Sequence, residues 1–253
     1  MNNFIRTVSL LSLSAVLING CKKDDDVIDD THVHHHGTIK VAYEFVNGTQ
    51  PFTLDSTVTD SLGRKVRFTS VRFFTSGYIV QDDAEAMVGD FRTNYILVAA
   101  ALASNQHELG EMEAGHVHAL VFNLGLDSAT NHSDPTQYTS APLNDVSMHW
   151  SWNPAMGYKF LVLEGRVDAN NDGVVDGTDP VFEYHCASDE LLTETELEAH
   201  HDLVEDETFT IHVNVNMATM LAGIDVAGNL SASGATPLNV RAMQNLSASL
   251  ASE

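Results

Sequence analysis

The chain has 253 residues, a formal net charge of −23 and 43% hydrophobic residues. Such a charge repels phosphate backbones and anionic lipid surfaces and attracts cations, which argues against nucleic acid as a partner. The hydrophobic share is enough for a real core.

Residues 1–20 read as a lipoprotein signal: polar Asn2, Asn3 and Arg6, an apolar run from Val8 to Ile18, and the box Ile18-Asn19-Gly20-Cys21. The run is too short to span a bilayer and is expected to be removed, leaving a lipid on Cys21 as a membrane anchor. Lys22-Lys23-Asp24-Asp25-Asp26 then resembles the export signal of surface lipoproteins. The expected location is the cell envelope, on the outer membrane and exposed at the surface. Cys186 is the second of two cysteines, so with Cys21 lipidated no intramolecular disulfide can form. Residues 21–37 read as a disordered acidic and histidine-rich tether, and His32, His34, His35 and His36 in it can capture transition metals loosely or simply solubilise. One domain is expected over 38–253.

Within it, Ile39, Val41, Tyr43 and Phe45 alternate with polar residues, predicting a half-buried strand that ends at the Asn47-Gly48 turn. Arg64 to Val80 is a long strand whose apolar parity changes at Thr69-Ser70, which predicts a bulge. A short strand follows at Tyr95 to Val98, with Ala99 to Ala103 helical. His116 to Leu124 alternates, with His118 at the start of the row of Leu120, Phe122 and Leu124. A histidine there can end the core or point into a site as a ligand, and the favoured reading of His118 is a solvated or hydrogen-bonded strand-end residue. Asp127 to Asn144 reads as loop, with His132 in a turn role.

Ser147 to Gly165 (SMHWSWNPAMGYKFLVLEG) carries both tryptophans, Trp150 and Trp152, beside His149, and runs into the apolar segment Phe160 to Leu163. After it, Asp168 to Asp179 has the pattern of a calcium loop, with Asp168, Asn170, Asp172, Val174, Asp176 and Asp179 at alternate donor positions and Gly173 at the sharp turn. Ca²⁺ takes six to eight oxygens, and alternate residues of a curling loop can converge on it. The competing reading is an acidic turn between strands. Phe182, Tyr184 and Cys186 alternate with Glu183 and His185, which puts His185 on the opposite face. Thr193 to Val204 reads as a short helix with Thr193 and Glu196 as a capping box and His200 and His201 at its C-terminal end. Phe209 to Met217 alternates cleanly, with His212 on the polar face; Met217 to Leu221 reads as a short helix, and Ala242, Leu246 and Leu250 predict a final one.

Several stretches together resemble the MbnP family, the methanobactin-associated periplasmic copper-binding proteins and their relatives. They are Leu62-Gly63-Arg64 before Phe68-Thr69, Phe122-Asn123-Leu124-Gly125-Leu126-Asp127-Ser128, Asn131-His132-Ser133-Asp134-Pro135, Pro142-Leu143-Asn144 before Met148-His149-Trp150-Ser151-Trp152, Gly157-Tyr158-Lys159-Phe160, Leu163-Glu164-Gly165-Arg166 and Phe182-Glu183-Tyr184-His185, in order from about Ile39 to Asp225. The resemblance implies a β-sandwich that binds copper through histidines, sometimes beside a tryptophan oxidised to kynurenine with the help of a dihaem cytochrome. The residues themselves allow an all-β sandwich of two mostly antiparallel sheets with short connecting helices.

His149, His185 and His212 each come from a different inferred strand or its flank, and the resemblance implies copper among them, with His149 and His212 the leading pair. A ligand imidazole needs its other nitrogen held, a role open to Glu164 or Glu183. Trp150 or Trp152 would flank the site or be modified. No Gly-x-Ser-x-Gly, His-Glu-x-x-His, phosphate-binding glycine loop or Cys-x-x-Cys occurs, so no catalytic residue is expected and the chain is read as not an enzyme. The expected function is lipid-anchored copper storage, capture or hand-over, with a structural calcium loop. The alternative is a calcium-pinned adhesion or glycan-binding sandwich in which the indoles stack on sugars.

Overall fold

A computed structural model describes residues 35–151 and 153–253. The signal segment, Cys21, His32, His34 and Trp152 lie outside the described residues. The elements in chain order are β1 (His36–Asn47), β2 (Gln50–Pro51), β3 (Val58–Thr59), β4 (Lys65–Gln81), β5 (Met87–Ala99), β6 (Gln106–Glu113), β7 (Gly115–Leu124), α1 (Ser128–Asn131), β8 (Leu161–Val167), β9 (Val181–Cys186), β10 (Thr193–Leu203), β11 (Thr208–Asn216), β12 (Ser231–Ser233), α2 (Pro237–Ser249) and β13 (Leu250–Ser252). Short 3-10 turns punctuate the long loops. Among the described residues no helix is long and apolar enough to cross a membrane.

The strands form an all-β sandwich of two mixed sheets. The smaller runs β13-β11-β1-β2, with β6 also paired to β1; the larger runs β10-β7-β4-β8-β9-β12, with β3 and β5 also paired to β4. Strand β4 organises the larger sheet because it is long enough to serve several partners. Phe73 pairs with Val98 of β5 and Leu161 of β8, and two residues on Thr75 pairs with Ile96 of β5 and Leu124 of β7. The parity change at Thr69-Ser70 is a real register shift, between Phe68 and Ser70 against β8. It lets both Phe68 and Val71 point into the core, where they are 1% exposed.

Tyr43 of the smaller sheet meets Phe73 and Phe122 of the larger edge-on, with centroids 6.0 and 6.3 Å apart, and Tyr78 stacks on Phe122 at 5.3 Å. The Tyr43 and Tyr78 hydroxyls share a hydrogen bond of 2.9 Å, and Thr75 joins at Tyr78. Burial pushes both phenols well above their ordinary range, so they stay neutral and satisfy one another. Close approach has its own requirement at Gly165, where β8 lies so near β4 that a Cβ would stand 2.3 Å from the Arg67 carbonyl oxygen.

Several segments differ from expectation. Thr193 to Leu203 is a strand, β10, paired antiparallel with β7. Its Glu, Leu and Ala residues are good helix formers, but Thr195 and Leu197 are buried between exposed Glu194, Glu196 and Glu198, and that two-residue period matches the pairing edge of β7. Ala99 ends β5 and residues 100–103 turn and bend after it, and Met217 to Leu221 is a turn; neither segment is a helix. Strand β5 starts at Met87, well before Tyr95, and the parallel pairing of β1 with β11 was not anticipated. The last helix forms over Ala242 and Leu246 as their spacing predicts, but it ends at Ser249 and Leu250 begins β13; the Thr236 hydroxyl accepts from the Asn239 amide, and Ala242, Met243 and Leu246 are buried.

Candidate metal centre

Strand β7 places His116 and His118 two residues apart, so their rings lie on one face of the strand, the face shared with Leu120, Phe122 and Leu124. They occupy the end of that buried row. β10 runs alongside, with Leu203 opposite Gly115, Asp202 opposite His116 and His201 opposite Val117. The register then shifts between Glu198 and His201. His200 sits in that irregularity at φ +28°, and its ring meets the edge of His118 with centroids 4.7 Å apart. The turn after β4 supplies Asp83, whose Oδ1 lies 3.0 Å from His118 Nδ1 and 3.4 Å from His116 Nε2.

One donor atom from each of Asp83, His116, His118 and His200 falls within 4.8 Å of all the others. His118 Nδ1 is buried and makes no aligned hydrogen bond even though Asp83 is near. An imidazole nitrogen held in that way is paired in the usual case, and here a cation would complete it. His116 Nδ1 is held by Asp202 Oδ1 at 2.7 Å, and that bond, with the Asp83 and Asp82 charges, raises its pKa. Its other nitrogen, Nε2, faces Asp83. The neighbourhood is acidic throughout, so a bound cation would be stabilised electrostatically.

The three histidines expected to share a metal do not meet. His212 projects from β11 of the smaller sheet, is half exposed, and pairs through Nδ1 with Glu44 Oε1 at 3.1 Å. It lines a separate cavity with Phe45 and Leu102. Alternation along β11 was read correctly, but which sheet it joins decides the partner. His149 and His185 do share a cleft of about 400 Å³, with Trp150, Lys159 and Glu183. His185 Nε2 bonds Glu164 Oε1 at 2.7 Å, one of the two carboxylates expected to hold it, and His185 above all keeps the Glu164 carboxyl below its ordinary range. His149 follows a 3-10 turn, is 8% exposed, and is pushed toward the neutral form by burial. Trp150 is 5% exposed and meets His185 edge-on at 5.9 Å.

Lys159 Nζ lies 5.7 Å above the Trp150 ring. Lys159 lines the same cleft, and its ammonium opposes a metal cation there. The Asp83 cluster has the opposite balance.

In the Asp168–Asp179 loop the two end carboxylates are buried, 2% and 5% exposed. Asp168 accepts from the amides of Asp172 at 3.1 Å and Gly173 at 2.8 Å, and Asp179 accepts from the Asp176 amide at 2.8 Å. Gly173 adopts φ +86° at the sharp turn, as its position in the spacing requires. The loop's carboxylates do not bring three donor atoms within 4.8 Å of one another, whereas the one carboxylate and three imidazoles of the Asp83 cluster do.

Sequence reading missed His116, His200 and Asp83 and set His118 aside. The His-x-His spacing on a strand was the available signal. His200 was hidden by the reading of its strand as a helix, and Asp83 by its place in a turn.

The family model described as MbnP matches residues 36–240. Among solved structures, the chain is similar to MbnP from Methylosinus trichosporium, with a TM-score of 0.51 and 14% identity over 74% of this chain and 78% of that one. No curated protein matches the sequence.

Proposed function

The chain belongs to the MbnP family, and from that premise we propose that it is an extracytoplasmic copper-binding protein that stores, captures or hands over copper at Asp83, His116, His118 and His200. The observation that carries this is the convergence of three imidazoles and one carboxylate within 4.8 Å at the end of β7. Imidazole suits copper in either oxidation state, and the weak carboxylate leaves a position for water or exchange. Asp202 on His116 supplies the outer hydrogen bond that fixes a ligand ring. The signal segment and Cys21 support a lipid-anchored protein of the outer membrane.

The test is copper loading of protein whose His32–His36 run has been replaced, so that it cannot mask the result. His116→Ala with His118→Ala should remove one tightly bound copper per chain. Unchanged stoichiometry at unchanged affinity rejects the site.

A second reading keeps copper in the His149–His185 cleft, because two imidazoles and an indole share one cavity there. His185→Ala would then abolish binding while the β7 variants would not. Oxidation of Trp150 by a dihaem cytochrome belongs to this reading. The glycan alternative needs exposed stacking indoles; Trp150 is only 5% exposed, and Trp152 lies outside the described residues. We also propose that the Asp168–Asp179 loop takes calcium as a structural pin, on its spacing and its two buried carboxylates. Calcium should raise the thermal midpoint of the wild type and not of Asp168→Asn.

A further inference from the structure

The four side chains of the cluster differ in what they offer a metal. Three are imidazoles, which suit copper in either oxidation state; Asp83 alone is a hard oxygen donor. The set contains no thiolate, and Cys186 is buried elsewhere, against the Asn239 carbonyl.

Asp83 lies in the turn between β4 and β5, and its neighbour holds that turn. Asp82 Oδ1 accepts from the Ala84 and Ala86 amides, each at 2.9 Å, and the Asp82 amide donates to the Ala86 carbonyl at 3.0 Å. The Asp83 side chain is 73% exposed, and its Oδ1 stands 3.0 Å from His118 Nδ1 and 3.4 Å from His116 Nε2. A carboxylate so placed can be approached from solvent and still face both rings.

Further negative charge surrounds the rings. Asp202 Oδ1 holds His116 Nδ1 at 2.7 Å, Glu198 Oε2 lies 3.5 Å from His200 Nε2, and Asp83, Asp202 and Asp82 all act on His116 electrostatically. Three neutral imidazoles and one carboxylate leave a bound Cu(II) positively charged and a bound Cu(I) neutral. Carboxylates around the site stabilise the positive complex and gain nothing from the neutral one.

We propose that Asp83 determines which oxidation state the centre holds: it tilts the cluster toward Cu(II), so that the protein takes up divalent copper. The proposal rests on the reading of that cluster as the copper site and adds the form in which the metal is bound. Without the carboxylate, Cu(II) loses its one anionic donor, while Cu(I) keeps the three imidazoles that suit it. Asp202 reinforces the tilt through the His116 ring, because a hydrogen bond to the outer nitrogen makes the inner one a stronger donor.

The experiment measures two affinities in the full chain with its His32–His36 run replaced. Competition with nitrilotriacetate gives that for Cu(II), and competition with bicinchoninate gives that for Cu(I). Asp83→Asn, which keeps the shape and removes the charge, is compared with the unchanged cluster. Cu(II) affinity should fall by at least about tenfold while Cu(I) affinity stays within about threefold, and the copper reduction potential should rise by about 59 mV for each tenfold change in their ratio. Asp83→Ala, at the same exposed position, should shift the ratio in the same direction, and both variants should change the electron paramagnetic resonance spectrum of bound Cu(II). An equal fall in both affinities, a larger fall for Cu(I), or no change in either overturns the proposal. Failure of the underlying site reading shows separately, as both affinities retained by His116→Ala with His118→Ala.

Discussion

The rings of His118 and His200 stand 4.7 Å apart at an interplanar angle of 82°, although one comes from β7 and the other from an irregularity in β10. The register shift between Glu198 and His201 inserts an extra residue on the β10 side, which turns His200 toward β7. The site is therefore built by a defect in strand pairing, placed where the buried row of β7 gives out.

That defect has a measurable cost. His200 sits at φ +28°, where a side chain is disfavoured by about 1–2 kcal/mol. His200→Gly should be more stable than His200→Ala by about 1 kcal/mol in urea denaturation of the metal-free protein, although both lack the imidazole. Equal stability of the two would mean that the backbone there is relaxed.

The β4–β8 contact makes a second prediction. A Cβ on Gly165 would lie 2.3 Å from the Arg67 carbonyl oxygen, 2.8 Å from the Phe182 ring and 2.9 Å from Phe68 Cα. Gly165→Ala should destabilise by about 2–3 kcal/mol through overpacking. Gly115→Ala, where nothing stands within 4 Å, should stay within about 0.5 kcal/mol of wild type. A tolerated alanine at Gly165 would contradict the described approach of the two strands.

Asp189 predicts a pH dependence. The Ser128 hydroxyl first, then Asn131 and His132, hold its carboxyl below the ordinary carboxylate range. The unfolded chain therefore binds the proton more readily than the folded one. The contribution is fully present above the unfolded value of about 3.9 and is lost as pH falls through the lower folded value. Melting of wild type and Asp189→Asn should differ at neutral pH and converge in acid. A gap that persists at pH about 2 would assign the effect to shape rather than charge.

Much of the fold was legible because its strands alternate. The bulge in β4 could be read from the parity of Val66, Phe68, Val71 and Phe73, and the opposed faces of Phe182 and His185 follow from single-residue alternation. β10 was not, because its Glu, Leu and Ala content favours a helix and only pairing with β7 reveals the two-residue period. The cluster of Asp83, His116, His118 and His200 went with it, since one of its histidines rides on β10. The placement of His212 shows the complementary limit. Its face was correct, but no local pattern says that β11 pairs in parallel with β1, away from His149 and His185.

Anomalous diffraction at the copper edge from copper-loaded crystals tests the assignment most directly. The account predicts one peak within bonding distance of nitrogens on His116, His118 and His200, on the side of Asp83. A peak between His149 and His185, with none at the end of β7, would contradict it.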